Sequence, residues 1–220
     1  RNAVQAMETS QEEPQQAGQQ HLKVLAEIMK LRRACCHPKL VMEDSPLSSA
    51  KLQAFEELID ELISNRHKAL VFSQFVGHLS ILKALLDSKG IPYQYLDGST
   101  STAKRKKAVN AFQAGEGDVF LISLKAGGSG LNLTAADYVI HMDPWWNPAV
   151  EDQASDRAHR MGQKRPVTIY RLVAKDTIED KIVDLHAHKR DLANSLLEGG
   201  EVSGKMSVND MMALIRETSD

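Results

Sequence analysis

The sequence predicts an α/β protein: a parallel sheet with helices on both faces, plus flanking helices at both ends. Two observations carry this. Short, almost continuously apolar runs, KALVFSQF (68–75), DVFLISL (118–124) and DYVIHMD (137–143), alternate with longer amphipathic stretches. Strands with no polar face belong in a sheet that is covered on both sides, and strand–helix alternation makes that sheet parallel. In such sheets ligands bind at the loops beyond the C-terminal strand ends, so the content of those loops decides function.

The elements follow in order. Residues 8–20 (ETSQEEPQQAGQQ) are polar and aperiodic and read as a flexible loop. Leu22, Leu25, Ile28, Met29 and Leu31 form a helical stripe over 21–36, which Pro38 stops. A loop at 43–49 leads to a helix over 51–64, striped by Leu52, Phe55, Leu58, Ile59 and Leu62. The strand 68–75 is followed by a helix over 78–90 with Gly90 at its C-terminal cap. IPYQYLDG (91–98) is a strand ending in a turn, and 101–115 is a helix with a Ser/Thr N-cap. Strands at 118–124 and 137–143 come next, then a helix beginning near Pro148, a last strand at 167–174 and a long amphipathic helix over 177–198.

The 220 residues suit one domain with an appendage, and 42% hydrophobic with 25% charged residues is ordinary for a soluble globular protein. The net charge of −2 gives no global attraction to nucleic acid, so any phosphate-binding surface is local. No apolar run approaches the roughly 20 residues of a membrane span, and there is no signal-peptide pattern. The chain begins at Arg1, lacks a glycine-rich phosphate loop, and looks like a piece of a longer protein. Its two cysteines, Cys35 and Cys36, are adjacent, and no second pair completes a zinc site. His37 beside them reads as helix-end packing, and so do His186 and His188, which sit two apart on different helix faces, so no metal site is expected. Free cysteines fit a reducing compartment.

The loops carry the chemistry. KAGGSGLNL (125–133) has three glycines in four positions, which lets backbone N–H groups approach an anion, and the segment after it could offer a helix N-terminus. Alone, the run reads equally as a tight turn, and its spacing is not that of a dinucleotide fingerprint. Ser73–Gln74 and DGSTST (97–102) are rich in donors suited to a nucleic-acid backbone, although turn and cap chemistry explains Ser99 and Thr100 as well. KRKK (104–107) is a basic run that a solvated helix face would also explain. PWWNP (144–148) holds both tryptophans between prolines, which turns one of them toward a ligand or groove. Finally, DQASDRAHRMGQ (152–163) spaces Gln153, Arg157 and Arg160 by four and three residues, a same-face spacing on a helix.

Taken together, LVFSQF, YLDGST, LISLKAGGSGLNLTAADYVIHMDPWWNP and DQASDRAHRMGQKRPVTIYRLVAKDTIEDKI closely resemble the second RecA-like lobe of SWI/SNF-type ATPases of helicase superfamily two. They are similar to that family's motifs IV, V and VI in order and spacing. The resemblance divides the chain into a lobe-connecting segment (1–50), a RecA-like lobe (51–175) and bracing helices (176–220). It implies a double-stranded-DNA-stimulated ATPase that translocates on duplex DNA to remodel protein–DNA complexes. ATP with Mg2+ would sit between this lobe and an N-terminal RecA-like lobe of the same polypeptide, which would hold the magnesium. By the same resemblance Arg157 and Arg160 are catalytic arginine fingers on the γ-phosphate, and Gly128, Gly130 and Gln153 line the nucleotide. Ser73, Gln74, Ser99, Thr100, Arg105, Lys125, Gly127 and Trp146 would meet the DNA; Arg105 reads equally as a buttress of its loop. A DNA-bound protein is the expected further target, and no membrane is. The isolated chain is expected to be inactive, since half the site is absent. The resemblance favours a bacterial protein of the cytoplasm and nucleoid; a eukaryotic one would be nuclear. Two other readings stand beside it: a catalytically silent DNA-binding or scaffold lobe, and a lobe of a strand-separating helicase. A small-molecule Rossmann enzyme is the weakest, because its glycine spacing is missing.

Overall fold

The computed structural model describes residues 14–126, 131–145, 147–196 and 212. Helix α1 (Pro14–Cys36) leads through a 3-10 turn (Pro38–Leu40) to α2 (Ala50–Ser64). Then come β1 (Ala69–Ser73), α3 (Val76–Ser88), β2 (Tyr93–Leu96), α4 (Thr102–Gln113), β3 (Val119–Ser123) and β4 (Tyr138–His141). The chain continues with α5 (Pro148–Ser155), β5 (Thr168–Arg171) and α6 (Ile178–Leu196). The five strands form one sheet in the order β2-β3-β1-β4-β5, every pair parallel. Among the described residues no helix is long and apolar enough to cross a membrane.

The side-chain period of two explains why the strands are apolar on both faces. In β1, Leu70 and Phe72 point to one side, where Phe120, Ile122 and Val139 meet Phe112 of α4 and Ala154 of α5. Ala69 and Val71 point to the other, where Leu121 and Ile140 meet Phe55, Ile59 and Leu62 of α2 and Leu79, Leu82 and Leu86 of α3. Fully burying one such side chain contributes about 1.5–3 kcal/mol. The two edge strands are the exceptions: β2 is only half-buried over Tyr93–Tyr95, and β5 leaves Ile169 and Tyr170 exposed. The outer helices share a third cluster, in which Val24 and Ile28 of α1 pack on Ile178 and Ile182 of α6.

Three expectations need correction. Residues 14–20, read as loop, are the first two turns of α1; proline fits a helix N-terminus, and glutamine and alanine propagate a helix without needing an apolar stripe. The segment after the glycine loop forms no helix, since 131–137 run irregularly into β4. Helix α5 ends at Ser155, well short of Arg160. Residues 8–13 lie outside the described residues, as does the amphipathic tail 207–215 apart from Met212, which is buried against Val24, Ile28 and Ile182. Gly90 sits at φ 63°, the left-handed cap conformation expected of it.

Candidate functional site at the strand ends

From β1 the chain moves outward to β2 on one side, then returns to place β4 on the other side of β1. The C-terminal ends of β1 and β4 therefore flank a topological switch point, where parallel α/β sheets hold their ligands. Asp143, just beyond β4, ties the two ends together. Its carboxylate accepts from the Ser73 hydroxyl and, at 3.1 Å, from the Gln74 backbone N–H. Arg32, a fully buried side chain of α1, donates to the Gln74 side-chain carbonyl and, at 3.0 Å, to the Pro144 carbonyl. Its guanidinium lies 5.3 Å from the Phe75 ring centre and 5.2 Å from that of Trp145. Ser73 and the Gln74 carbonyl are thus turned inward and act on the loops rather than facing solvent. Lys125, by contrast, is exposed, with its ammonium 6.0 Å from the Trp145 ring. Lys125, Trp145, Gln74 and Arg33 line one open cleft of about 420 Å³.

At the end of β2 the DGST turn closes on itself. Asp97 accepts from the Ser99 N–H at 2.8 Å, the Ser99 hydroxyl at 2.6 Å and the Tyr95 hydroxyl at 2.8 Å. The Ser99 hydroxyl, with the Tyr95 hydroxyl and the Ser99 and Thr100 donors beside it, holds the Asp97 carboxyl below its ordinary value. Arg105 then spans two loops: it donates to Thr100 O at 3.0 Å, Asp97 O at 3.3 Å and Ala126 O at 3.4 Å. Of the two readings of Arg105, the geometry supports the buttress.

Arg157 and Arg160 do not share a helix face. Asp156 caps α5, and the chain continues in turns, so the four-and-three spacing loses its helical meaning. Arg157 is buried, with its guanidinium 5.4 Å from the Phe72 ring centre, and its carbonyl accepts from Leu133 N–H at 2.9 Å. Arg160 is exposed and donates to Leu131 O at 2.9 Å. Gln153 lies on the exposed side of α5. The three arginines nonetheless gather near one loop: Arg105 donates to Ala126 before it, Arg160 donates to Leu131 after it, and buried Arg157 feels the charge of both. The Arg157 pKa is lowered, first by burial and then by the charges of Arg105 and Arg160. Gly127, Gly128 and Gly130 between these clamps, and Trp146, lie outside the described residues.

Sequence reasoning missed two anchors. The Gln163 amide donates to Ala136 O at 2.8 Å, Ala158 O at 3.0 Å and Thr134 O at 3.1 Å, and so holds the segment after the glycine loop. Glu151 is buried, accepts from Trp145 N–H at 3.0 Å and is paired with Arg171, which links α5 to β5. Gln163 stood inside the quoted motif, but nothing local marks an amide as a three-carbonyl clamp. Gln163→Ala is expected to lower unfolding free energy by about 1–3 kcal/mol, because part-buried carbonyls lose their donor. Urea denaturation checks it, and a loss near zero would remove the anchor role.

The family described as helicase conserved C-terminal domain matches residues 50–162. A putative ATP-dependent helicase/translocase of Bacillus subtilis is 36% identical over 197 residues, 87% of this chain and 21% of that protein. The chain spans about a fifth of the length of the first curated relatives it matches. The C-terminal domain of the Sulfolobus solfataricus SWI2/SNF2 ATPase superposes with a TM-score of 0.74 at 27% identity, covering 99% of this chain and 90% of that one. The ATPase core of the same protein in complex with double-stranded DNA gives 0.72 at 31% identity, covering 90% of this chain and 42% of that one.

Proposed function

Because this chain belongs to the helicase C-terminal family, as the C-terminal lobe of a SWI/SNF-type helicase, we propose that it supplies half the ATP site and part of the duplex-DNA track of a translocating ATPase. The observation that carries this reading is the convergence of Arg105, Arg157 and Arg160 on the loop after β3. Three guanidiniums at a strand-end crevice, with the charges of Arg105 and Arg160 adding to the cost of charging buried Arg157, call for an anion. A nucleotide γ-phosphate has the required charge and oxygen geometry. Arg160 reaches it as an arginine finger, and Arg157, held more deeply, shapes the loop and adds charge. Gln153, Gly128 and Gly130 are assigned to the nucleotide by their match to the family motif. The magnesium belongs to the N-terminal RecA-like lobe, whose phosphate loop completes the site.

On the DNA side, exposed Lys125 and Ser99 contact backbone phosphates directly, together with Gly127 and Trp146 by their motif positions. Ser73, Gln74, Thr100 and Arg105 act behind them, by holding the loops that present those groups. Backbone contact makes binding insensitive to sequence and strongly dependent on salt. ATP binding closes the two lobes and hydrolysis reopens them, which moves this loop set along one strand and displaces DNA-bound protein. The similarity to a core structure determined with double-stranded DNA supports duplex DNA as the track.

The test is ATP turnover by the whole protein with and without duplex DNA, beside turnover by this chain alone. Stimulation by duplex DNA, loss of DNA affinity with rising salt and no turnover by the isolated chain are expected. Turnover indifferent to duplex DNA would defeat the proposal, and ATP-driven opening of a forked duplex would favour strand separation.

A further inference from the structure

Where α1 ends, α3 begins and β4 runs out, three buried side chains of metal-binding type meet. Cys36 is the last residue of α1, His78 sits in the first turn of α3, and Asp143 follows β4. One ligand atom from each, the Cys36 sulfur, a His78 ring nitrogen and an Asp143 carboxylate oxygen, lies within 4.8 Å of the other two. His78 is 0% exposed, and neither of its ring nitrogens has a hydrogen-bond partner. Buried polar groups are almost always satisfied, so an imidazole with both nitrogens orphaned needs an explanation. Burial pushes the Cys36 thiol up and holds His78 neutral, down to about 4. The neutral ring has a lone pair available, and it faces a thiol and a carboxylate.

We infer that Cys36, His78 and Asp143 form a structural site for a divalent cation of the zinc class, with water as the fourth ligand. A thiolate, an imidazole and a carboxylate together favour zinc over magnesium or calcium, which prefer oxygen alone. Bond lengths of about 2.0–2.3 Å place tetrahedral ligand atoms about 3.5 Å apart, so the three close on the ion by roughly an ångström. Rotation about the Cys36 and His78 side-chain bonds supplies that movement. Binding ionises the thiol: the Cys36 S–H bond breaks, a sulfur–metal bond forms and the proton leaves to solvent. The thiolate and the Asp143 carboxylate then match the charge of the dication; nearby Lys51 is balanced by Glu179, while the Arg32 guanidinium, which also feels Asp143 and Cys36, is held by the Gln74 and Pro144 carbonyls. Asp143 is already oriented by the Ser73 hydroxyl and the Gln74 N–H, the outer support that ligating carboxylates characteristically have. The site would pin the end of α1 to the start of α3, directly behind the Gln74 and Pro144 loop positions. No sequence rule finds it, because its ligands come from three separated segments without paired-cysteine spacing.

Cobalt(II) is the probe. The metal-free 220-residue chain is titrated with Co2+ in the native state and, separately, refolded in its presence. One equivalent bound with a thiolate-to-cobalt absorption band is expected. Cys36→Ser should abolish that band, Cys35→Ser should keep it, and His78→Ala should weaken Co2+ binding at least about tenfold. Non-denaturing mass spectrometry of the unmodified chain refolded with Zn2+ gives a readout that no variant's folding affects: one zinc bound, one thiol proton lost. No band in either cobalt preparation and no zinc in the mass spectrum would overturn the site. So would a band that survives Cys36→Ser, a band lost with Cys35→Ser, or binding unchanged by His78→Ala.

Discussion

Arg160→Ala in the whole protein is expected to lower ATP turnover at saturating duplex DNA by about 10³-fold or more while DNA affinity holds. The reasoning starts from exposure. Arg160 lies at the surface, where its side chain donates to Leu131 O, and losing one exposed hydrogen bond costs the fold little. A positive charge at the surface with one carbonyl partner is available to a phosphate. Arg160→Lys keeps the charge but loses the planar fork, so it should recover only part of the turnover. Arg157→Ala differs, because Arg157 is buried above Phe72, and its loss should lower stability as well as turnover. Steady-state turnover together with DNA binding and thermal melting separates the two. Near wild-type turnover in Arg160→Ala would overturn the finger assignment.

The largest stability effect is expected at a pair with no part in the chemistry. Lys51 of α2 donates to Met142 O at 2.6 Å and is paired with Glu179 of α6 at 2.6 Å, with side chains 5% and 0% exposed. Glu179 also accepts from the Ala174 N–H at 2.8 Å. Glu179→Ala leaves a buried ammonium with only a carbonyl for company, and breaking such a pair from one side costs about 3–5 kcal/mol. Taking both charges out of water costs energy that their attraction has to repay. Burial raises the Glu179 pKa, against the lowering by Lys51 and by the Ala174 N–H. The double replacement Lys51→Met with Glu179→Leu should therefore restore most of the loss. Denaturant midpoints of the two single variants and the double variant measure the coupling. Additive losses would show that the two residues act separately.

How much of this was legible follows from range. Strand and helix positions, the two-sided burial of β1 and β3, and the caps at Gly90 and Ser101 are local, since they depend on residues within one or two turns. Loops that carry glycines, hydroxyls, tryptophans and arginines at strand ends are local in the same sense, and their order along the chain carried the resemblance. Direction was not legible. Gln153, Arg157 and Arg160 satisfy a helical spacing, yet α5 stops at Ser155 because the following turns bond to the 131–136 segment: Leu133 N–H to Arg157 O, and Gln163 to Thr134 and Ala136. Ser73 has the chemistry of a phosphate contact, but Asp143 from a neighbouring strand claims its hydroxyl.

The sequence by itself determined an α/β chain, the strand-end loops and the residue types that make a polyanion site plausible there. Tertiary structure alone decided which side chains face out, which are hydrogen-bonded across loops and which meet: Arg32 to Gln74 and Pro144, Arg105 and Arg160 on either side of one loop, and His78 beside Cys36 and Asp143. The reason is physical. Periodicity records which side of an element is buried, whereas a hydrogen bond between distant segments depends on strand order and register, which bring together residues that share no local pattern.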